Sequence, residues 1–449
     1  MRKIFLAGAC VAAIAGAALA GFGPVLAQTP PSRPDPSTAT PVPAGTTSPS
    51  PHVAANAATQ TPTARPDAGP TPPSEAAAHL ATSQAAMGEA LFGQMHASAP
   101  AHTLVISPTS VATALGLLGQ GASGATVTSF EDALHLKDNG LTLAAAANAE
   151  SELGAALAPH TGVQLQMANA IWASNTLKLE PQFVQKEQAA YGAEIRNIDF
   201  TGPRALTEIN NWVSEKTMGK IPKVVDALPA QMQIALVNAL HFKGRWETPF
   251  DTSATALAPF TRADKTKINV PEMHRSGDAS YLETASFQAA ALPFADPRFE
   301  LIVVLPREGA EDATAAALAK GWGETLDSSK FAISNVKLAL PRMSLSWGGD
   351  LLAPLERAGF AGALGAKADF GALSAQRITV GAVAHRSTFE VDETGAEGSS
   401  ATAIMGTRSA RIEKTFEMTV DRPFYFLLRE KLTGSALFLG YAADPGTHS

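Results

Sequence analysis

The chain has 449 residues, 45% of them apolar and 17% charged, with a formal net charge of -7. Such a composition supports a large buried core. It argues against nucleic acid or an anionic membrane as the main partner, because counterion release needs clustered Lys and Arg, and no such cluster is present.

In chain order, the first segment reads as an export signal. Arg2 and Lys3 precede an apolar stretch from Ile4 to Leu19, and small residues offer cleavage after Ala20 or after Ala27. Val25-Leu26-Ala27 is the favoured site, leaving Gln28 first. The only cysteine, Cys10, lies inside the removed part, and Ala7-Gly8-Ala9 before it lack the aliphatic residue of a lipoprotein box. The exported chain, secreted or periplasmic, is thus expected to have no disulfide and to depend on its core alone. Beyond the signal no apolar run reaches the roughly 18 residues of a membrane span, so no membrane contact is expected after signal removal.

Residues 28–74 are dense in Pro, Thr, Ala and Ser and nearly free of large apolar side chains. That composition cannot offset ordering entropy, and it predicts an unstructured tether. A globular domain is expected over 75–446. Leu80, Met87, Leu91 and Met95 recur at helical spacing. Ser107-Pro108 then gives a helix cap followed by proline at the first helical position, with Val111, Ala114, Leu115 and Leu118 on one face.

Strand signals dominate later. Ile234 to Phe242, Leu301 to Leu305 and Val336 to Leu340 are apolar enough for strands covered on both faces. Pro423–Arg429 and Ser435–Tyr441, around Lys431-Leu432-Thr433-Gly434, predict a buried hairpin. Helices first and strands afterwards, with no regular β-α-β rhythm, predict an α+β domain.

Catalytic and cofactor motifs are missing from the sequence. There is no Gly-x-Ser-x-Gly elbow, phosphate loop or His-Glu-x-x-His, and the ten histidines are scattered. No metal or cofactor is expected, and an enzyme is disfavoured, although a triad assembled from distant residues would escape such a search.

The stretch from Glu390 to Glu413 is the least ordinary. It sits between two predicted strands, is longer than a typical connection, lacks proline and is built of small residues. With period two, Ala396, Gly398, Ser400, Thr402 and Ile404 share one face, and none of them is charged. A single arginine there would bring an unpaired charge into a sheet interior. The loop is suited to becoming a strand.

From Glu75 to Pro445 the chain resembles the serpin family of protease inhibitors. The likeness is carried by Leu104-Val105-Ile106-Ser107-Pro108 with Ser110, by Ile209-Asn210-Asn211-Trp212-Val213 with Thr217, Gly219 and Ile221, and by the run Val237 to Trp246. Phe416, Asp421-Arg422-Pro423-Phe424 and Leu437-Phe438-Leu439-Gly440 continue it. The resemblance implies an α+β serpin fold, with a helical N-terminal half on a large central sheet, further sheets, and a reactive loop at about 393–413.

The resemblance also implies a mechanism. A serine protease would attack the loop, form a covalent acyl complex with a monomeric inhibitor, and be trapped as the cleaved loop enters the main sheet. Glu393, Gly395, Ala396, Glu397, Gly398, Ser399, Ser400, Ala401 and Thr402 match the hinge. Ala396 stands where a hydroxyl residue is usual, and Gly398 where alanine is. Ser107, Ser110, Asn238 and His385 match the polar shutter beneath the sheet, and Trp246 the breach at its top. The reactive bond is either Arg408–Ser409, suiting a trypsin-like protease, or Ser409–Ala410, suiting an elastase-like one. The first is favoured because an arginine in a mostly uncharged loop needs a reason; the alternative is that Arg408 and Arg411 keep the loop soluble. A non-inhibitory carrier, chaperone or binding scaffold is the other reading of the family.

Overall fold

A computed structural model describes residues 72–159, 161–229, 231–395 and 415–446. Residues 1–71, which hold the expected signal and most of the expected tether, lie outside these. So do Ala396 to Thr402, Arg408, Ser409 and Ala410.

Helix α1 (Glu75–Ser98) starts at Ser74, whose side chain accepts a hydrogen bond from the Ala77 amide. It buries Leu80, Met87, Leu91 and Met95, the face its spacing predicts. At Gly88 an added Cβ would lie 2.2 Å from the Pro108 ring, so α1 crosses the first turn of α2 (Pro108–Gly119) at backbone range. Ser107 caps α2 by accepting from the Ser110 amide, and every residue of α2 is buried. A helix apolar on all sides belongs inside, and α2 runs behind the sheet that carries the candidate site.

That sheet has five strands: β2 (Val163–Ser174), β3 (Glu194–Ile198), β4 (Ile234–Gly244), β10 (Met343–Asp350) and β11 (Val380–Val391). They lie in the order β10-β11-β4-β2-β3. Alternate residues of β4 explain why the whole run is apolar. Ile234, Leu236, Leu240 and Phe242 join the main core, whereas Ala235, Val237 and Ala239 join a second cluster with Ile209, Trp212 and Val213. Those three project from helix α6 (Ala205–Lys216) at helical spacing. Asn210 on the same helix accepts from the Val224 and Val225 amides at 2.8 and 3.1 Å and so fixes the chain that leads back to β4.

The second sheet has nine strands. The order is β1 (Leu104–Ile106), β14 (Ala436–Ala442), β13 (Phe424–Glu430), β8 (Phe299–Pro306), β7 (Phe287–Pro293), β6 (Lys267–Glu283), β9 (Ala332–Pro341) and β12 (Thr415–Thr419). Strand β5 (Asp251–Thr261) pairs with β6 off this path. Strand β8 is buried throughout, and β13–β14 is the predicted antiparallel hairpin, one residue later than expected.

Two expectations need refining. Strand β9 is not covered along its length: within the predicted run Lys337 is exposed, and so is Ile333, four residues earlier on the same face. Helices and strands are also not fully segregated, since β2, helix α5 (Pro181–Tyr191) and β3 form one crossover between parallel strands. The architecture remains α+β.

Candidate functional site

The five-stranded sheet has an unusual centre. Strands β11 and β4 run parallel as neighbours, from Val380 opposite Ile234 to Phe389 opposite Phe242, while β10–β11 and β4–β2 are antiparallel. The described residues on either side of 396–414 belong to different sheets: β11 ends in this one, and β12 lies in the other. A segment folding back from the end of β11 would run antiparallel to both β11 and β4. It would fit between them only if this seam opened.

The middle of the seam is closed by polar side chains from four elements. Asn238 on β4 and His385 on β11 are register partners, and His385 Nδ1 lies 2.5 Å from Asn238 Oδ1. Asn238 Nδ2 donates to the Ser110 carbonyl at 2.7 Å, to the Ser110 hydroxyl, and to Asn169 Oδ1 on β2. His385 Nε2 faces the Ser107 amide at 3.2 Å and the Ser387 hydroxyl at 2.7 Å.

The amide can only donate, so Nε2 is an acceptor, and Nδ1 carries the proton toward Asn238. Both ring nitrogens are thereby satisfied in the neutral form. Burial lowers the His385 pKa to about 3, in agreement with that tautomer. All four shutter residues predicted from sequence therefore meet at one place. Asn169 and Ser387 join them. Ser387 lies two residues after His385 on one strand face, a signal present in the sequence; Asn169 needed the β2–β4 register.

Ser387, His385 and Asn238 also form a serine–histidine–amide relay, the kind of distant constellation that motif searches miss. All three are at most 1% exposed, so no substrate reaches them. The arrangement fits a structural lock.

The top of the seam is held differently. Trp246 is buried and stacks on Phe294 at 4.5 Å between ring centres. Its indole donates to the Asp392 carbonyl at 2.8 Å and its amide to the Thr394 carbonyl at 3.0 Å, while the Phe250 amide donates to the Glu393 carbonyl at 2.9 Å. Glu393 is only 3% exposed. Its carboxylate receives Arg342 Nε at 2.9 Å on both oxygens and the Thr255 hydroxyl at 2.5 Å. Burial alone would raise the pKa of Glu393, but the bonds from Arg342 and Thr255 outweigh it and leave the carboxyl below its ordinary range.

Asp392 caps the turn that follows by accepting from the Thr394 and Gly395 amides. Gly395 has φ +93°, and an added Cβ would lie 2.3 Å from the Trp246 nitrogen, so only glycine fits. Of the hinge residues predicted from sequence, Glu393 and Gly395 are thus placed beside Trp246. Arg342, Thr255 and Asp392 were not singled out, since nothing in their local sequence marks a partner for Glu393.

Among the described residues no group of three or more His, Cys, Asp or Glu is placed to hold a metal ion. No described helix is long and apolar enough to cross a membrane.

Two sheets, joined in sequence through residues 396–414, and a parallel central seam locked by a buried polar network are the features that the comparisons with known proteins must account for. Residues 82–445 match the model of the family described as serpin (serine protease inhibitor), and the chain belongs to that family. It is 31% identical to human serpin B8, covering 76% of this chain and 92% of that one. It is 29% identical to the pig leukocyte elastase inhibitor, covering 79% and 96%. Among solved structures it is similar to human thyroxine-binding globulin complexed with thyroxine, at a TM-score of 0.76 and 26% identity over 83% of this chain and all of that one. It also shares its fold with the thermophilic serpin tengpin, at a TM-score of 0.73 and 23% identity over 81% and 94%.

Proposed function

We propose that this serpin is a single-use inhibitor of serine proteases, exported from the cell, whose cleaved reactive loop inserts between β4 and β11. The observation that carries this reading is the parallel seam with Gly395 at its open end. An incoming segment would convert one parallel contact into two antiparallel ones. Roughly ten new ladder hydrogen bonds, at about 1 kcal/mol each, would contribute on the order of 10 kcal/mol before apolar burial is added. The protease serine would attack the scissile carbonyl to form an acyl-enzyme, and insertion would carry the tethered protease away before water resolves the ester. Arg408–Ser409 is the favoured bond, which selects a trypsin-like target; cleavage at Ser409–Ala410 selects an elastase-like one.

The likeness to thyroxine-binding globulin supports a second reading, a carrier that does not insert its loop. The hinge composition supports the first, because the face from Ala396 to Ile404 is small and uncharged.

Incubation with trypsin-like and elastase-like proteases tests the two. The inhibitor gives a denaturant-resistant complex and a cut mapped by mass; the carrier gives neither. Ala396→Arg is expected to turn the inhibitor into a substrate that is cleaved and released, since a charge on the inserting face stalls strand entry. Undiminished inhibition by this variant would end the insertion reading.

A further inference from the structure

The β4–β11 seam has a second face. Asn238 and His385 meet the start of α2 through Ser110 and Ser107, so the alternate positions of each strand face the other way. There Ala235, Val237 and Ala239 of β4 and Ala382 and Ala384 of β11 join the second apolar cluster. Residues 217–229, which lead from α6 back toward β4, lie over that face. Ile221, Val224 and Val225 are buried in the same cluster, so this strap packs on both sides of the seam.

The strap is fastened on either side. On one, Asn210 of α6 accepts from the Val224 and Val225 amides and donates to the Val225 carbonyl at 2.9 Å. Helix α6 itself rests on β2, with Trp212 edge-on to Trp172 at 5.9 Å between ring centres. On the other side stands Arg386 of β11, two residues past Ala384 on the same strand face and opposite Ala239 in register. Its Nη1 donates to the Lys223 carbonyl at 2.9 Å. The neighbouring position on β10 is Gly348, where an added Cβ would lie 2.9 Å from Arg386 Nε, so a glycine there leaves the guanidinium its path.

A strand entering between β4 and β11 would move the two apart by one strand spacing, about 4.8 Å. A strap held to α6 and β2 cannot keep a 2.9 Å bond to β11 across that displacement. We propose that Arg386 is the catch of this strap: its bond to the Lys223 carbonyl holds the second face of the seam shut, breaks as a strand enters, and sets part of the resistance to insertion. The catch rests on the inhibitory reading above and adds to it a residue that acts only while the seam is closed.

The test uses the full, uncut chain and a labelled synthetic peptide of residues Ala396 to Thr407 as the entering strand, so no protease is needed. Arg386→Met keeps the apolar stem and removes the donor; it is expected to take up the peptide roughly threefold faster or more than the unmodified chain. Arg386→Lys, which restores a donor for the Lys223 carbonyl, is expected to bring the rate back at least halfway. The melting temperature of uncut Arg386→Met is expected to fall by roughly 2 to 4 °C, and that of the peptide-loaded variant by less than half as much. A merely structural arginine would lower both alike. Equal uptake rates in all three chains, or equal losses of melting temperature before and after loading, would overturn the catch. Uptake absent from all three chains would instead end the insertion reading itself, and the catch would fall with it.

Discussion

The middle and the top of the β4–β11 seam are closed by different physics. In the middle, Asn238, His385, Ser110, Ser107, Asn169 and Ser387 are neutral, buried and mutually hydrogen-bonded. At the top, one buried carboxylate, Glu393, is held by the half-exposed Arg342 and by Thr255. The first lock is strong because opening it orphans several buried groups at once. The second is weaker and nearer solvent, and it sits where an inserting segment would begin. The proposed mechanism, in which the sheet stays shut until the loop is cut and then opens from one end, would be well served by that gradient.

The largest expected effect is release of the whole seam. Clean nicking between Ile404 and Arg411 is expected to raise the melting temperature by roughly 20 °C or more, from about 10 kcal/mol of new ladder bonds at about 2 to 4 °C each. An unchanged melting profile would remove the case for insertion and with it any functional meaning of the gradient.

Next come the locks themselves, compared by urea unfolding of the uncut chain. Asn238→Ala strips His385 Nδ1–H, Ser110 and Asn169 of their common partner and is expected to cost about 3 kcal/mol. Arg342→Ala leaves Glu393 with Thr255 alone; because Arg342 is half-exposed, about 2 kcal/mol is expected. A larger loss from Arg342→Ala would reverse the order proposed here.

Much of this was legible before the fold was known, and the reason is local. Ser107-Pro108 announces a capped helix, and the apolar run at β4 announces a doubly covered strand. Ser107, Ser110, Asn238 and His385 came only through family likeness, since no periodicity brings distant polar residues together. Arg342 and Thr255 stayed hidden for a related reason. Each lies on a strand of the other sheet or beside it, and they meet Glu393 only because β11 ends where the two sheets approach. Side-chain pairing between elements is a property of register and crossing, which one sequence does not display.

The smallest effect, counted per pH unit, separates the two locks by pH. His385 has a folded pKa of about 3 against an ordinary 6.5. As pH falls from 6.5 toward 3, the unfolded chain takes up a proton that the folded chain refuses, so stability drops by at most about 1.4 kcal/mol per pH unit. Glu393 is shifted downward from its ordinary 4.5, so its contribution is complete above 4.5 and is lost only as pH falls further. His385→Gln is therefore expected to flatten the stability profile between pH 6.5 and 4.5, where Glu393→Gln leaves the slope unchanged and acts only below it. Equal flattening by both variants across the upper window would show that the middle and the top of the seam titrate as one unit, and the two-lock distinction would fail.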